Sequence, residues 1–362
     1  MATTLITGGA GFVGSHLALA LRRHRPAERV VVLDNLKRRG AELNLPRLEG
    51  AGIAFHHGDI RNPDDLDAIG PADLLIECSA EPSVLAGYHG SPRYVLDTNL
   101  GGAVHCFDYA RRHHADVIFL STSRVYPLAH LTAIALGETA TRFEIAPEQS
   151  LPGISSQGIS EAFPLDGPRS LYGATKLCGE LVLQEFAAMY GIRAVINRCG
   201  LITGPWQMGK SDQGVVALWM ARHVFGQPLT FIGYGGTGKQ VRDMLHIADL
   251  ADLVLMQIDQ REALSGQVFN VGGGAERSAS LCELTARCAA ITGTTVPIES
   301  DTEDRPGDIP LYISDCAKVT AATGWRPRRD VDAMLDDLYR WMCDYRDTLR
   351  PILVGGEIQG GA

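Results

Sequence analysis

Tyr172 and Lys176 stand four positions apart in Ser170-Leu-Tyr-Gly-Ala-Thr-Lys-Leu177. Residues at i and i+4 share one face of a helix, so both can point into one site. A tyrosine hydroxyl ionises near pH ~10 and is a poor base at neutrality, but a neighbouring ammonium stabilises the phenolate and lowers that value. Many helices carry this spacing by chance, so the pair needs a third group. Leu120-Ser121-Thr122-Ser123-Arg124-Val125-Tyr126 supplies one at the carboxyl end of a predicted strand, the edge at which α/β sheets bind ligands. Thr122 can hydrogen-bond a reacting hydroxyl and position it. Ser123 can take the same role, and spacing leaves the choice open.

The elements that must hold these residues follow from hydrophobic patterning. Short apolar runs occur at Leu5-Ile6, Val30 to Leu33, Ile53 to Phe55, Leu74 to Ile76, Val117 to Leu120 and Ala194 to Ile196. Most lack polar alternation, as expected of parallel strands buried on both faces. Helix patterns at 14–23, 100–113 and 172–190 alternate with them, which predicts an α/β fold with a Rossmann-like, doubly wound parallel sheet. Residues 1–200 are expected to form a cofactor-binding domain, with 265–275 returning to its sheet. Residues 201–350 are expected to make a smaller mixed α/β substrate domain, and 351–362 a tail. The stretch from Pro127 to Pro168 has little periodicity, and so long a connection is usually functional.

Thr7-Gly-Gly-Ala-Gly-Phe-Val-Gly14 follows the first strand and opens the first helix. Asp34 ends the next strand about 20 residues on, the arrangement in which backbone N–H groups and a helix dipole hold a pyrophosphate. Gly8, Gly11, Phe12 and Val13 are therefore cofactor-site candidates, with Gly14 needed for close packing. The Asp34 carboxylate suits two ribose hydroxyls and would repel a 2′-phosphate, so NAD is expected rather than NADP. Lys37, Arg38 and Arg39 complicate that choice, since they can bind a 2′-phosphate, flank the adenine or face solvent. Asp59, in Gly58-Asp59-Ile60, fits a contact to the adenine amino group. Asn99 fits a backbone anchor near the cofactor or a helix cap.

Gly8, Gly11, Gly14, Asp34, Asp59, Thr122, Tyr172 and Lys176 together resemble the extended short-chain dehydrogenase/reductase family over nearly the whole chain. The resemblance implies Tyr172 as acid/base, Lys176 as ligand of the nicotinamide ribose and tuner of the tyrosine, and Thr122 as the group orienting the substrate hydroxyl. It also implies cofactor contacts from Asn35, Lys37, Arg38, Ile60 and Ser121. Arg242-Asp243 and Arg305-Pro-Gly-Asp308 resemble segments whose arginines hold the diphosphate of a nucleotide-sugar, and Ser211-Asp-Gln213 adds Gln213 as a substrate contact.

The family's sugar 4,6-dehydratases place Asp-Glu directly after the catalytic threonine, whereas here Ser123-Arg124 follow. That removes the acid and base of an elimination. The closer likeness is to the family's CDP-sugar 2-epimerases, carried by Asp34-Asn-Leu, Gly58-Asp-Ile-Arg-Asn62, Glu138-Thr139 and Gly238-Lys-Gln-Val-Arg-Asp-Met-Leu-His246. A related 4-epimerase or decarboxylase is the nearest enzymatic alternative. A non-catalytic NAD-binding sensor is the alternative of another class, against which both Tyr172 and Lys176 weigh. Thr122 and Tyr172 are 50 positions apart, and the enlarged connection between them is expected to cover the sugar. Departures from the family pattern fall at Glu77-Cys-Ser-Ala-Glu-Pro82, Tyr126-Pro127 and Ile202-Thr-Gly-Pro205.

Composition narrows the partners. A net charge of −9 provides no broad basic surface for nucleic acid. Eight cysteines without a C-x-x-C pair argue against zinc and against a disulfide-stapled scaffold, so no metal and a cytoplasmic setting are expected. The first residues enter a strand at once, leaving no room for a leader, and no apolar run is long enough to span a membrane. The resemblance further implies a homodimer through the helices at 100–113 and 172–190. Glu81, Glu161 and His246 are titratable but fit a cap, a solvated loop and a packed imidazole. Cys178 fits helix packing.

Overall fold

The computed structural model describes residues 1–88, 90–208 and 214–354. Seven strands pair in parallel: β1 (Thr3–Thr7), β2 (Arg29–Asp34), β3 (Ala54–His57), β4 (Leu74–Glu77), β5 (Asp116–Thr122), β6 (Ala194–Cys199) and β8 (Gln267–Val271). The intervening β7 (Val241–His246) belongs to the second half of the molecule. The spatial order of the seven is β8-β6-β5-β4-β1-β2-β3. All of β1, β4, β5 and β6 is buried, which is why these strands read as continuous apolar runs.

Helix α1 (Phe12–His24) covers one face with Leu17, Ala18 and Leu21, joined there by Leu250, Leu253 and Val254 of Ile247–Asp259. Helices α2 (Gly102–His113) and α3 (Leu171–Tyr190) cover the other through Phe107, Ala110 and Leu183. A π-helical turn, Asp97–Gly101, precedes α2. The order in which strands are added to the sheet reverses at β1, whose neighbours are β2 and β4. The carboxyl ends of these strands therefore flank a crevice.

The second half is built around β7, paired with Leu201–Thr203, Ser278–Ser280 and Leu311–Tyr312. Helices Val215–Phe225, Leu281–Thr292 and Val331–Asp344 pack over it around Met220, Leu284, Leu335 and Leu338. Meanwhile β8 adds to the edge of the main sheet beside β6. Order continues into the expected tail, because helix Arg346–Leu353 buries Leu349 and Leu353. Two apolar anchors on one face hold that turn down.

The long connection folds into helix Leu128–Thr132 and two small hairpins, Leu136–Glu138 with Phe143–Ile145 and Ile154–Ser155 with Gly158–Ile159. Its apolar residues, among them Leu131, Ile159 and Phe163, pack with Tyr126, Ile309 and Tyr312. Among the described residues no helix is long and apolar enough to cross a membrane.

Candidate active site

The crevice at the sheet's carboxyl edge opens into a cleft of about 570 Å³. One end is lined by Gly8, Gly11, Phe12, Val13, Asp34 and Ile60, and the middle by Thr122, Ser123, Tyr172 and Lys176. The far end is lined by Arg124, Arg242, Ile309 and Tyr312.

At the first end backbone dominates. Gly8 adopts φ +62°, and a Cβ on Gly14 would lie 2.3 Å from Gly8 O, so only glycines let β1 turn this tightly into α1. Asp34 Oδ2 accepts N–H bonds from Ala10 at 3.1 Å and Gly11 at 3.2 Å, and Oδ1 accepts from Leu36 at 2.8 Å. Burial nevertheless raises the Asp34 pKa against those three bonds. A carboxylate has about four acceptor sites, so Asp34 can still receive ribose hydroxyls while bracing the glycine loop. The cradle and the carboxylate fit a dinucleotide.

The neighbouring side chains sort themselves. Asn35 Nδ2 donates to Asp59 Oδ2 at 2.8 Å, and Arg61 grips the same carboxylate. Despite partial burial, the Arg61 and Asn35 bonds bring Asp59 down to about 2, so it is an ionised acceptor at neutral pH. The basic run disperses: Lys37 Nζ sits 3.0 Å over the Tyr94 ring, Arg38 donates to Met208 O, and Arg39 donates to Pro351 O. Lys37 and Arg38 line the cleft with Asp34, whereas Arg39 reaches away from it. Asn99 accepts from Glu81 N at 2.7 Å and donates to Glu81 O and Thr175 Oγ1. It thereby ties the loop after β4 to α3.

In the middle, Ser170 caps α3 by accepting from Gly173 N at 3.2 Å. A Cβ on Gly173 would fall 2.0 Å from Arg124 O, so this glycine lets the helix start press against the end of β5. The Thr122 hydroxyl accepts from Arg124 N at 3.2 Å and lines the cleft beside Tyr172, whose phenolate it favours. Ser123 also faces the cleft, one residue further along the 3₁₀ turn Ser123–Val125. The Ser121 hydroxyl turns away and donates to Glu180, which also binds Arg198 Nη2 at 2.7 Å. Arg198 in turn reaches Tyr126 OH. This buried network fastens α3 under β5 and β6.

Burial raises the Tyr172 pKa, against the opposing pull of Lys176, Thr122 and Arg124. The lowering expected from the lysine is present but outweighed by burial. Lys176 is 2% exposed, and its Nζ lies 3.3 Å from Glu77 Oε2 and 3.4 Å from Ser79 O. The sequence marks Glu77 only as the start of a departure from the family pattern and gives it no role. The available signal was a carboxylate closing an otherwise apolar strand, Leu74-Leu-Ile-Glu77.

At the far end Arg242 Nη2 donates to Asp308 Oδ1 at 2.8 Å and to Ile309 O at 2.7 Å. Arg124 Nη1 donates to Gly307 O at 3.0 Å. Burial, then the charge of Arg242, bring Arg124 down to about 10, which leaves it protonated at neutral pH. Arg305 differs from the expectation: it is exposed and does not line the cleft, because the turn it opens directs Asp308 and Ile309 inward instead. Gln213 lies outside the described residues. The connection 127–168 contributes no lining residue either. Its apolar residues are drawn into the cluster behind Tyr126 and Tyr312, so it supports the wall of the cleft.

His246 caps its helix by accepting from Ala248 N, and Glu161 accepts from Asn270 N, both away from the lining. Glu81 does line the cleft. Cys178 is exposed rather than packed, since it falls on the outer face of α3.

A glycine cradle, a strand-end aspartate and a Thr–Tyr–Lys group at one sheet edge define a nucleotide-dependent redox fold. The chain belongs to the NAD dependent epimerase/dehydratase family, whose sequence profile matches residues 4–272. It is an NAD-dependent enzyme. It is 29% identical over 353 residues to CDP-paratose 2-epimerase of Salmonella typhi, covering 93% of this chain and 98% of that one. It is 28% identical to a dTDP-glucose 4,6-dehydratase of Streptomyces antibioticus, over 96% and 94% of the two chains. The structure of UDP-glucose 4-epimerase from Thermus thermophilus in complex with NAD superposes with a TM-score of 0.76 at 25% identity, over 94% of this chain and 99% of that one. Relatives of this kind act on nucleotide-sugars.

Proposed function

We propose that the protein epimerises carbon 2 of a CDP-sugar of the CDP-paratose and CDP-tyvelose type. The observation that carries this reading is that Tyr172 and Lys176 line one cleft with Thr122, and that Thr122 is followed along the chain by Ser123 and Arg124 rather than by an acid and a base. Such a group serves reversible oxidation of a hydroxyl and leaves out elimination. The choice of carbon and nucleobase is supported by the likeness to the Salmonella typhi enzyme across almost the full length.

The glycine loop and Asp34 would hold NAD, which would supply reversible hydride chemistry at the sugar carbon. Tyr172 takes the proton of the C2 hydroxyl and gives it back when the alcohol re-forms. Thr122 orients that hydroxyl, while Lys176 favours the phenolate and binds the nicotinamide ribose. Arg242 holds the diphosphate, so the 2-ketosugar can turn without leaving and present its other face. The exposed apolar side chains Leu181, Met189 and Tyr190 on α3 support a homodimer through that helix.

The test uses CDP-paratose carrying deuterium at C2, followed by NMR. Label retained at C2 of CDP-tyvelose is the expected result. Label lost to water would replace hydride return by carbon deprotonation, and reaction only with a UDP-sugar at C4 would move the assignment to a 4-epimerase. Tyr172→Phe should reduce kcat by about 10³-fold or more while NAD binding survives.

A further inference from the structure

Glu77 ends β4 in register with Thr7 of β1 and Phe119 of β5, in the middle of the sheet. It is 0% exposed. Its Oε2 lies 3.3 Å from Lys176 Nζ, which is held on other sides by Ser79 O at 3.4 Å and by the Phe119 ring at 4.5 Å. Its Oε1 has no hydrogen-bond partner among the described residues. A carboxylate in such a place carries a desolvation penalty of several kcal/mol that only a well-placed charge offsets. Strand packing alone would be served better by an apolar residue, as at Leu74, Leu75 and Ile76.

The surroundings contain few other charges to share the work. Cys78 beside it, Cys106 from α2 and Cys199 from β6 have thiols pushed up by burial, so all three are neutral at neutral pH. Tyr172 and Arg124 stand on the cleft side and face Lys176 from there. Glu77 is thus the carboxylate in contact with the ammonium that acts on the tyrosine.

We infer that Glu77 is a positioning residue: its carboxylate fixes the Lys176 ammonium and cancels part of that ammonium's field at the Tyr172 hydroxyl. The chemical need arises from the proposed reaction, on which this consequence rests. An epimerase tyrosine must take a proton in the first half of the cycle and return the same proton in the second. A phenol made too acidic by an uncompensated lysine would take it up poorly in the first step. Glu77 keeps the tyrosine's proton affinity high enough for both halves.

The test requires no sugar, so its failure is separable from failure of the substrate assignment. The NAD-loaded enzyme is titrated from neutral to alkaline pH while phenolate absorbance is recorded, with Tyr172→Phe subtracted to isolate Tyr172. Glu77→Gln keeps the shape and a hydrogen-bonding oxygen but removes the charge, and should lower the Tyr172 midpoint by about one pH unit. Glu77→Asp keeps the charge and should remain closer to the wild type. An unchanged midpoint in Glu77→Gln overturns the inference, as does an Asp variant that falls as far as the Gln variant. If Glu77→Gln does not fold, Glu77→Met removes the charge without adding a polar group and must show the same fall. Loss of folding in both would make Glu77 a structural residue and overturn the assignment.

Discussion

The two ends of the cleft are built in opposite ways. The cofactor end comes from contiguous stretches at successive strand ends: Gly8 to Gly14 after β1, Asp34 to Lys37 after β2, and Gly58 to Ile60 after β3. Its donors are mostly backbone, and its strictest requirements are for missing side-chain atoms, as at Gly14. The sugar end gathers Arg124, Ile202, Met208, Arg242, Ile309 and Tyr312, residues separated by long stretches of chain and held by side-chain bonds such as Arg242 to Asp308. A locally built end tolerates little change. A dispersed end can change its preference one side chain at a time, as the variety of nucleotide-sugars among the relatives of this fold illustrates.

If that contrast is right, the largest binding effect should follow the smallest substitution at the cofactor end. Gly14→Ala brings a Cβ to 2.3 Å from Gly8 O and 2.7 Å from Gly9 Cα, backbone atoms that cannot move without opening the loop. We expect a loss of NAD affinity of about 100-fold and a strain of about 2–3 kcal/mol, measured by calorimetric NAD titration and thermal melting. Retention of wild-type affinity would break the contrast at its root.

The seam between the halves offers an effect of similar size, set by pH. His16 on α1 packs edge-on to Phe12 at 5.4 Å and donates through Nδ1 to Phe12 O at 2.8 Å. Burial, aided by the charges of Arg47, His246 and Arg23 and opposed by the Phe12 bond, brings it from 6.5 to about 4. Between those values the unfolded chain binds the proton and the folded chain does not, so acid favours unfolding. The stability due to neutral His16 is complete above about pH 6.5 and lost as pH falls towards 4, a change of about 3 kcal/mol. Urea melts at pH 7 and 4.5 should show His16→Gln losing less stability than the wild type over that interval. Equal losses would remove His16 from the account.

The same contrast explains how much the sequence revealed. The glycine spacing, Asp34, Thr122 and the Tyr172/Lys176 pair were legible because each is fixed by a short segment with its own period or turn. Gly58 and Ile60 reach the same cleft by a short turn after β3, while Asp59 between them is held by Asn35 and Arg61. Glu77 was not legible, because its significance depends on Lys176 standing 99 positions away and 3.3 Å off. The role given to Arg305 depended on which way a turn faces, and Asp308 proved to be the inward residue. The 127–168 connection shows clear length but no period, since its short hairpins take their order from Tyr126, Ile309 and Tyr312.

At the sugar end a single substitution should be milder. Arg242→Gln leaves the β7 backbone in place and removes one charged contact from the cleft, so KM for the nucleotide-sugar should rise about tenfold with kcat nearly unchanged. Asp308→Asn serves as the control, since it weakens the Arg242 ion pair without removing the guanidinium. A kcat loss in Arg242→Gln equal to the KM change would show that this arginine acts in the transition state and that the sugar end is as strictly built as the other.

The smallest effect is expected at Lys37, and it bears on the choice of cofactor that the basic run left open. Were the basic run a 2′-phosphate clamp, Lys37→Ala would remove a direct ligand and abolish any NADP binding. In the structure Lys37 stacks on Tyr94 while Arg38 binds the Met208 carbonyl and Arg39 the Pro351 carbonyl. Its loss therefore removes a cation–π contact of about 0.5–1 kcal/mol from the rim and should change the Kd for NAD by no more than about threefold. Discrimination against NADP should remain, because it comes from the Asp34 carboxylate. Parallel NAD and NADP titrations of Lys37→Ala and Asp34→Ser separate the two origins: only the serine variant should narrow the gap between the cofactors, and a lysine variant that narrowed it equally would place specificity in the basic run.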